Sequence, residues 1–150
     1  MENLRILNKK DIKKILIKLK EQFKAEVDLD YVFLKNKDYK IFLISKDVAK
    51  IDLSELRVDR VGLYFCKIEK NGIRLSIEGS QLIGDKAKKN VIKLNKEQMK
   101  EWLAGENISI KGNFDEFVII KYEDDFLGSG RCSNNTVYNY VPKSRRLKVV

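Results

Sequence analysis

Apolar and polar positions along this chain change period several times, and each change predicts an element. In residues 9–24, Ile12, Ile15, Leu16, Leu19 and Phe23 recur at helical spacing, while Lys9, Lys10, Lys13, Lys14, Lys18, Lys20 and Lys24 fill much of the remainder. This predicts an amphipathic helix, with Asn8 as its N-cap and Asp11 three residues on. Residues 31–35 and 39–44 are β-prone runs flanking Asn36, Lys37 and Asp38, a hairpin pattern. Ser45 is placed to cap a short helical turn through Asp47 and Val48, and residues 52–55 carry further turn signals. A long strand is predicted over 58–69. Asn71 and Gly72 are the chain's strongest hairpin signal, because both tolerate the positive φ of a type I′ turn. Ile73, Arg74, Leu75, Ser76 and Ile77 then alternate inside and outside, as in a strand with one wet face. Glu78, Gly79 and Ser80 are expected to break that strand, leaving 81–84 as one helical turn.

After a basic loop at 86–89, residues 91–94 read as a short strand and 96–104 as a well-specified helix. Asn95 is its N-cap, Gln98 holds the capping-box position, Leu94 and Met99 suit a hydrophobic staple, and Gly105 marks the stop. Met99, Trp102 and Leu103 form its apolar face. The stretch 115–146 organises the rest of the chain. Residues 117–122 predict a strand, Glu123, Asp124 and Asp125 a turn, and Phe126 and Leu127 the start of a return strand punctuated by Gly128 and Gly130. Asn134 and Asn135 mark a second tight turn before a strand at 136–140. Pro142, the chain's single proline, closes the strands, and Lys143, Arg145 and Arg146 follow at once, with Lys148 beyond. A phosphate-cradling glycine turn needs a helix N-terminus after it. A strand follows here, so Gly128 and Gly130 are read as glycines of a bulge or tight bend in a small barrel. There are no repeats and no flexible linker, so two halves are expected to pack rigidly, meeting near residues 79–90.

At 150 residues, the chain has room for one domain or two small ones sharing an interface. A formal net charge of +9 points towards a polyanionic partner. With no histidine and two isolated cysteines, Cys66 and Cys132, zinc sites built from Cys and His are excluded, as are Ser-His and Cys-His nucleophile pairs. Three neighbouring acids on one turn, Glu123 to Asp125, do not converge as an oxygen cage must. No metal or other cofactor is expected. No run approaches 18 apolar residues and the N-terminus lacks an apolar signal core, so the expectation is a cytoplasmic protein with reduced thiols and no membrane partner.

Residues 124–130, D-D-F-L-G-S-G, lie after an apolar strand and before a turn, and there the chain resembles the central motif of PUA domains, small RNA-binding β-barrels. The ending V-Y-N-Y-V-P-K-S-R-R (137–146) is similar to the PUA-type tail of RNA cytosine methyltransferases of the Nol/Nop/Fmu group. G-L-Y-F-C-K-I-E-K-N-G-I-R-L (62–75) and N-V-I-K-L-N-K-E-Q-M-K-E-W-L-A-G-E (90–106) resemble the pre-PUA plus PUA layout of the nuclear-import-protein-seven family of ribosome biogenesis factors. The similarity spans about residues 31–141, and the two relatives are not separated by it. Such methyltransferases place their cysteines after proline or threonine and carry a glycine-rich S-adenosylmethionine site. Here Cys66 follows Phe65, Cys132 follows Arg131, and the parallel-sheet pattern is missing. The resemblance therefore implies the RNA-binding appendage without the catalytic half, and no enzyme.

The expected architecture is α+β: an N-terminal helix plus antiparallel sheet (1–78, pre-PUA-like) packed on a C-terminal PUA-like β-barrel (79–150). Lys143, Arg145 and Arg146 offer cations for phosphate oxygens, arginine with a planar fork. Tyr138 and Tyr140 share one face of a strand, where they either stack unpaired bases or pack across strands. Lys88, Lys89 and Lys100 flank the cap and helix that, by the resemblance, help form the RNA-facing side, and Arg131 lies just past the glycine motif. The implied role is non-catalytic binding of ribosomal or transfer RNA in rRNA processing, ribosome biogenesis or RNA modification. The alternative is an adaptor whose N-terminal sheet docks an RNA methyltransferase or ribosome assembly factor, which exposure of Tyr31, Phe33 or Tyr39 would favour.

Overall fold

The computed structural model describes residues 4–50 and 62–147. Helix α1 (Lys9–Phe23) forms where the apolar stripe runs, with the Asn8 side chain accepting from the Asp11 N–H at 2.9 Å. It ends at Lys24, whose left-handed φ of 50° turns its N–H back onto the Lys20 carbonyl. The stripe buries Ile15, Leu19 and Phe23 against a sheet and leaves the lysines in water.

That sheet is an antiparallel meander ordered β1-β2-β3-β4-β5: Arg5–Ile6, Val32–Lys35, Lys40–Ile44, Leu63–Glu69 and Gly72–Leu75. Asn36 closes the β2–β3 hairpin from within: its buried side-chain oxygen accepts from Asp38 N at 2.9 Å and Lys40 N at 3.0 Å. Ser45 caps the 3-10 turn at Val48–Lys50, as expected. The turn signals at 52–55 and the predicted start of the long strand at 58–61 lie outside the described residues.

Two expectations in this half need correction. Glu69 pairs with Gly72, so the β4–β5 loop is Lys70 and Asn71, and neither has positive φ. The turn is not type I′ about Asn71 and Gly72. Gly72, at φ 150°, is instead needed beside the Gln22 side chain: an added Cβ would lie 2.7 Å from Gln22 Oε1. Second, β5 stops at Leu75, and Ser76 caps a helix, α2 (Ile77–Ile83), continued by a 3-10 turn (Gly84–Lys86). Gly79 does not break an element. It lies inside α2 so that the helix can touch β4, where a Cβ would stand 2.1 Å from the Phe65 carbonyl oxygen.

The C-terminal sheet is mixed and curls into an open half-barrel, ordered β6-β8-β9-β10-β7: Val91–Lys93, Phe117–Tyr122, Asp125–Ser133, Thr136–Asn139 and Ile108–Ser109. β6 runs parallel to β8, and the remaining pairs are antiparallel. Helix α3 (Lys96–Leu103) carries the full Asn95–Gln98 capping box. Its Trp102 is completely buried and donates Nε1–H to the Leu127 carbonyl at 3.3 Å. Asn134 and Asn135 adopt φ of 53° and 59°, the left-handed pair that a tight hairpin turn requires. The fold is thus α+β, helix and antiparallel sheet followed by a PUA-like sheet.

One core joins the sheets. Ile83, Ile119 and Phe126 pack in the same buried cluster as Leu19, Phe23, Phe33 and Phe65. Polar clamps fix the join. Gln22 donates to the carbonyls of Ile73 at 2.9 Å and Phe117 at 3.2 Å and accepts from Ile73 N at 2.8 Å. Asn90, buried and left-handed, donates to Gln22 O at 2.6 Å and to Asp115 Oδ2 at 2.7 Å. Both lie at the C-terminal ends of their segments, where α1 and the 86–89 loop approach β8.

Candidate nucleic-acid interface

The glycine motif is locked into the core. Gly128 (φ 100°) gives its N–H to Ser80 Oγ at 2.9 Å, so that donor is not free for a phosphate. At Gly130 a Cβ would stand 2.3 Å from Val137 Cγ1 and 2.8 Å from the Trp102 ring. These glycines let β9 pass close to α2, β10 and α3. The register irregularity between Ile119 and Lys121 bends β8 beside the same motif.

Just past the motif, Arg131 of β9 stands directly across in register from Tyr138 of β10, the guanidinium carbon 5.1 Å from the ring centroid. Arg131 Nη1 also lies 3.7 Å from the Glu116 carboxylate. Tyr140 is one residue beyond β10 and 38% exposed. Its ring is 6.5 Å from that of Phe117 and is covered by the Arg74 guanidinium at 4.2 Å. Cross-strand packing and an exposed aromatic surface therefore coexist in this pair of tyrosines.

Pro142 opens a 3-10 turn, Lys143–Arg145, and Lys143, Arg145 and the following Arg146 are all exposed. Arg145 is ion-paired with Glu78 of α2. Arg146 donates Nε–H to the Val141 carbonyl at 3.0 Å, and its guanidine lies against Gly105, where a Cβ would meet it at 2.5 Å. The tail is held to α3 as well by the Leu147 N–H on the Leu103 carbonyl at 2.8 Å. Lys143 makes no ion pair among the described residues. Lys148 lies outside them.

Lys88 and Lys89 are exposed, but their N–H groups bond the Phe23 carbonyl at 2.8 and 3.0 Å, so their backbone bridges the two halves. Lys89 Nζ lies 3.5 Å from Asp115. Lys100 is exposed on α3. The residues singled out from sequence thus fall into local groups: Arg131 with Tyr138, Lys88 with Lys89, the 143–146 turn with Tyr140 beside it, and Lys100 by itself.

Sequence reasoning missed the partners that the N-terminal sheet brings. A groove of about 200 Å³ at the seam of the sheets is lined by Lys40, Tyr64 and Arg74 from one side and Gly128, Ser129, Tyr140 and Arg145 from the other. The alternation through Ile73, Arg74 and Leu75 does put Arg74 on the wet face, but nothing local says what that face meets.

Basic forks, exposed aromatic rings and a curled mixed sheet set beside a helix with a glycine-hinged strand are all in place in the C-terminal half. Residues 89–147 match the family model of the methyltransferase RsmF PUA domain. The matched stretch includes α3, the glycine motif and the cationic turn. Over a longer stretch the chain is similar to the ribosomal RNA small subunit methyltransferase F of Vibrio campbellii, 28% identical over 119 residues, which cover 75% of this chain and 24% of that protein. The enzyme of the same name from Vibrio cholerae is 26% identical over 113 residues, 75% of this chain and 23% of its own length. That from Aeromonas salmonicida is 30% identical over 91 residues, 59% of this chain and 19% of its own. The chain therefore spans about a quarter or less of the length of these relatives.

Burial pushes the Cys66 thiol far up from its ordinary value and that of Cys132 up to about 11, which keeps both protonated near neutrality. No group of three or more His, Cys, Asp or Glu side chains is arranged to hold a metal ion among the described residues. Among those residues, no helix is long and apolar enough to cross a membrane.

Proposed function

We propose that the chain is a non-catalytic RNA-binding protein, cytoplasmic, that positions ribosomal or transfer RNA for rRNA maturation or for an RNA-modifying enzyme. The observation that carries this reading is the RsmF-type PUA match over residues 89–147, in a chain of net charge +9. The relatives' name supports a small-subunit ribosomal RNA context. The resemblance to the nuclear-import-protein-seven layout supports large-subunit assembly as the other setting. Lys143 and Arg145 on the terminal turn make the first phosphate contacts, with Arg146 held closer to the body, and Arg131, Lys88, Lys89 and Lys100 add cations around the same domain. Shape and charge rather than base sequence select the RNA, since phosphate contacts fix register without reading bases.

A filter-binding titration of a structured RNA against salt tests this. The affinity falls steeply with salt, and Lys143→Ala with Arg145→Ala makes the log–log slope shallower by about one for each phosphate no longer neutralised. An unchanged slope in that double variant removes the turn from the interface, and salt-insensitive binding removes the whole reading. The adaptor alternative is favoured by the exposure of Tyr31 (36%) and Tyr39 (55%), while Phe33 is fully buried and takes no part in it.

A further inference from the structure

The seam groove draws its walls from both sheets and its charge is lopsided. Lys40, Arg74 and Arg145 face it against Glu78, whose carboxylate is already held by Arg145, while Arg74 Nε lies 3.8 Å from the Glu69 carboxylate and Lys40 has no ion pair among the described residues. Its rings carry cations: the Arg74 guanidinium carbon lies 4.2 Å from the Tyr140 centroid and Lys40 Nζ 5.4 Å from that of Tyr64. A volume of about 200 Å³ is below the roughly 300 Å³ at which drug-sized sites begin, so a single small group fits better than anything larger. Ser129 lines the same groove. Its hydroxyl is the buried side-chain polar atom left without a hydrogen-bond partner among the described residues, and buried polar atoms are normally partnered. Lys40 also lines a neighbouring hollow at the hairpin tips, where Lys37, Lys67 and Lys70 stand with Asp38 and Glu69, and Lys67 Nζ lies 3.8 Å from the Glu69 carboxylate. Lysines outnumber acids along this way out of the groove over the N-terminal sheet.

We propose that the groove seats one unpaired nucleotide of the bound RNA. Its base lies against the Arg74–Tyr140 pair, its phosphate lies between Lys40 and Arg145, and the flanking strand runs on over the hairpin-tip lysines. This rests on the RNA-binding reading above and adds to it a ligand class and a second sheet. A nucleobase is the planar group that both a tyrosine ring and a guanidinium plane stack upon, and the anionic linkage beside it suits the two flanking cations. An acidic peptide would satisfy the cations and leave the stack unused.

Fluorescence anisotropy with the full chain distinguishes these cases, using one RNA hairpin in three forms: perfectly paired, with a single-nucleotide bulge, and with an abasic bulge. The expected result is binding of the bulged form on the order of tenfold tighter than the paired form, with that advantage lost in the abasic form. Tyr140→Ala, and separately Arg74→Lys, which keeps the charge and removes the plane, abolish the advantage while leaving the paired hairpin's affinity within about twofold. Equal affinity of the wild-type chain for the three forms, or an advantage that survives both substitutions, overturns the groove and leaves RNA binding standing. Equal binding of the bulged and abasic forms above the paired one points to charge alone, as an acidic peptide would use it, and overturns the groove too. Failure of the chain to bind any form in a salt-dependent way overturns the broader reading and this one together.

Discussion

Gln22 is the most informative position for testing how the two sheets are joined. Its amide is wedged between β5 and β8, accepting from Ile73 N at 2.8 Å and donating to Ile73 O at 2.9 Å and Phe117 O at 3.2 Å. Each such bond contributes about 1 kcal/mol net, and a buried donor stripped of its partner costs about 1–3 kcal/mol. Ile73 is fully buried, so water does not replace the lost acceptor. Gln22→Ala is therefore expected to destabilise by about 2–4 kcal/mol, which at a urea m-value of about 2 kcal/mol per molar moves the midpoint down by about 1–2 M. Gln22→Glu, nearly isosteric, sets a carboxylate oxygen against two carbonyl oxygens and is expected to be at least as damaging as alanine. A third substitution isolates the close approach itself. Gly72→Ala brings a methyl 2.7 Å from Gln22 Oε1, so its cost should shrink once Gln22 is already alanine, and the cycle should be non-additive. Urea unfolding followed by far-UV circular dichroism gives the stability of each variant. If Gln22→Ala stays within about 0.5 kcal/mol of the parent, or if Gln22→Glu matches the parent, the clamp is not what joins the halves.

Three further outcomes are expected. Gly79→Ala drives a methyl into the Phe65 carbonyl, 2.1 Å away, and should cost about 2–4 kcal/mol by forcing α2 off β4; thermal melting reads this, and a shift under about 2 °C would contradict the packing described. The thiols are predicted to be inert at about pH 7–8 towards a disulfide reagent, because burial raises both pKa values. Cys132 moves from its ordinary 9.0 to about 11, so the unfolded chain releases that proton first and stability declines as pH rises from about 9 through about 11. Rapid labelling of Cys132 in the folded chain at about pH 8 would contradict its protonated state.

Elements whose signals are local were legible in the sequence. The Asn95–Gln98 box, the Asn8 cap and the Asn134–Asn135 turn each specify their own backbone within a few residues, and each is in place. The errors have a common physical origin in contacts made across the chain. Gly72 reads as half of a turn, but its surroundings are set by Gln22, far earlier in the chain. Gly79 reads as a breaker because its neighbour across space, the Phe65 carbonyl, is invisible in a linear scan. The same holds for the interface. The cationic ending was picked out through Lys143, Arg145 and Arg146, Arg131 by its place after the glycine motif and Tyr138 by its strand face, but the register that sets Arg131 across from Tyr138 is seen only in the structure. Lys40, Tyr64 and Arg74 carry no local mark, since only the docking of one sheet on the other brings them beside Tyr140.

The shared hydrophobic interior has a practical bearing on how such a module can be moved between proteins. The family match starts at residue 89, yet Phe126 rests on Gly84, Gly128 is tethered to Ser80, and Ile119 sits among side chains of α1 and the first sheet. A graft cut at that boundary would carry an oily, unsheathed flank into its new host. The transferable cassette is the pair of sheets with α2 wedged between them, which is the unit that an engineer, or a gene fusion, would have to transplant whole.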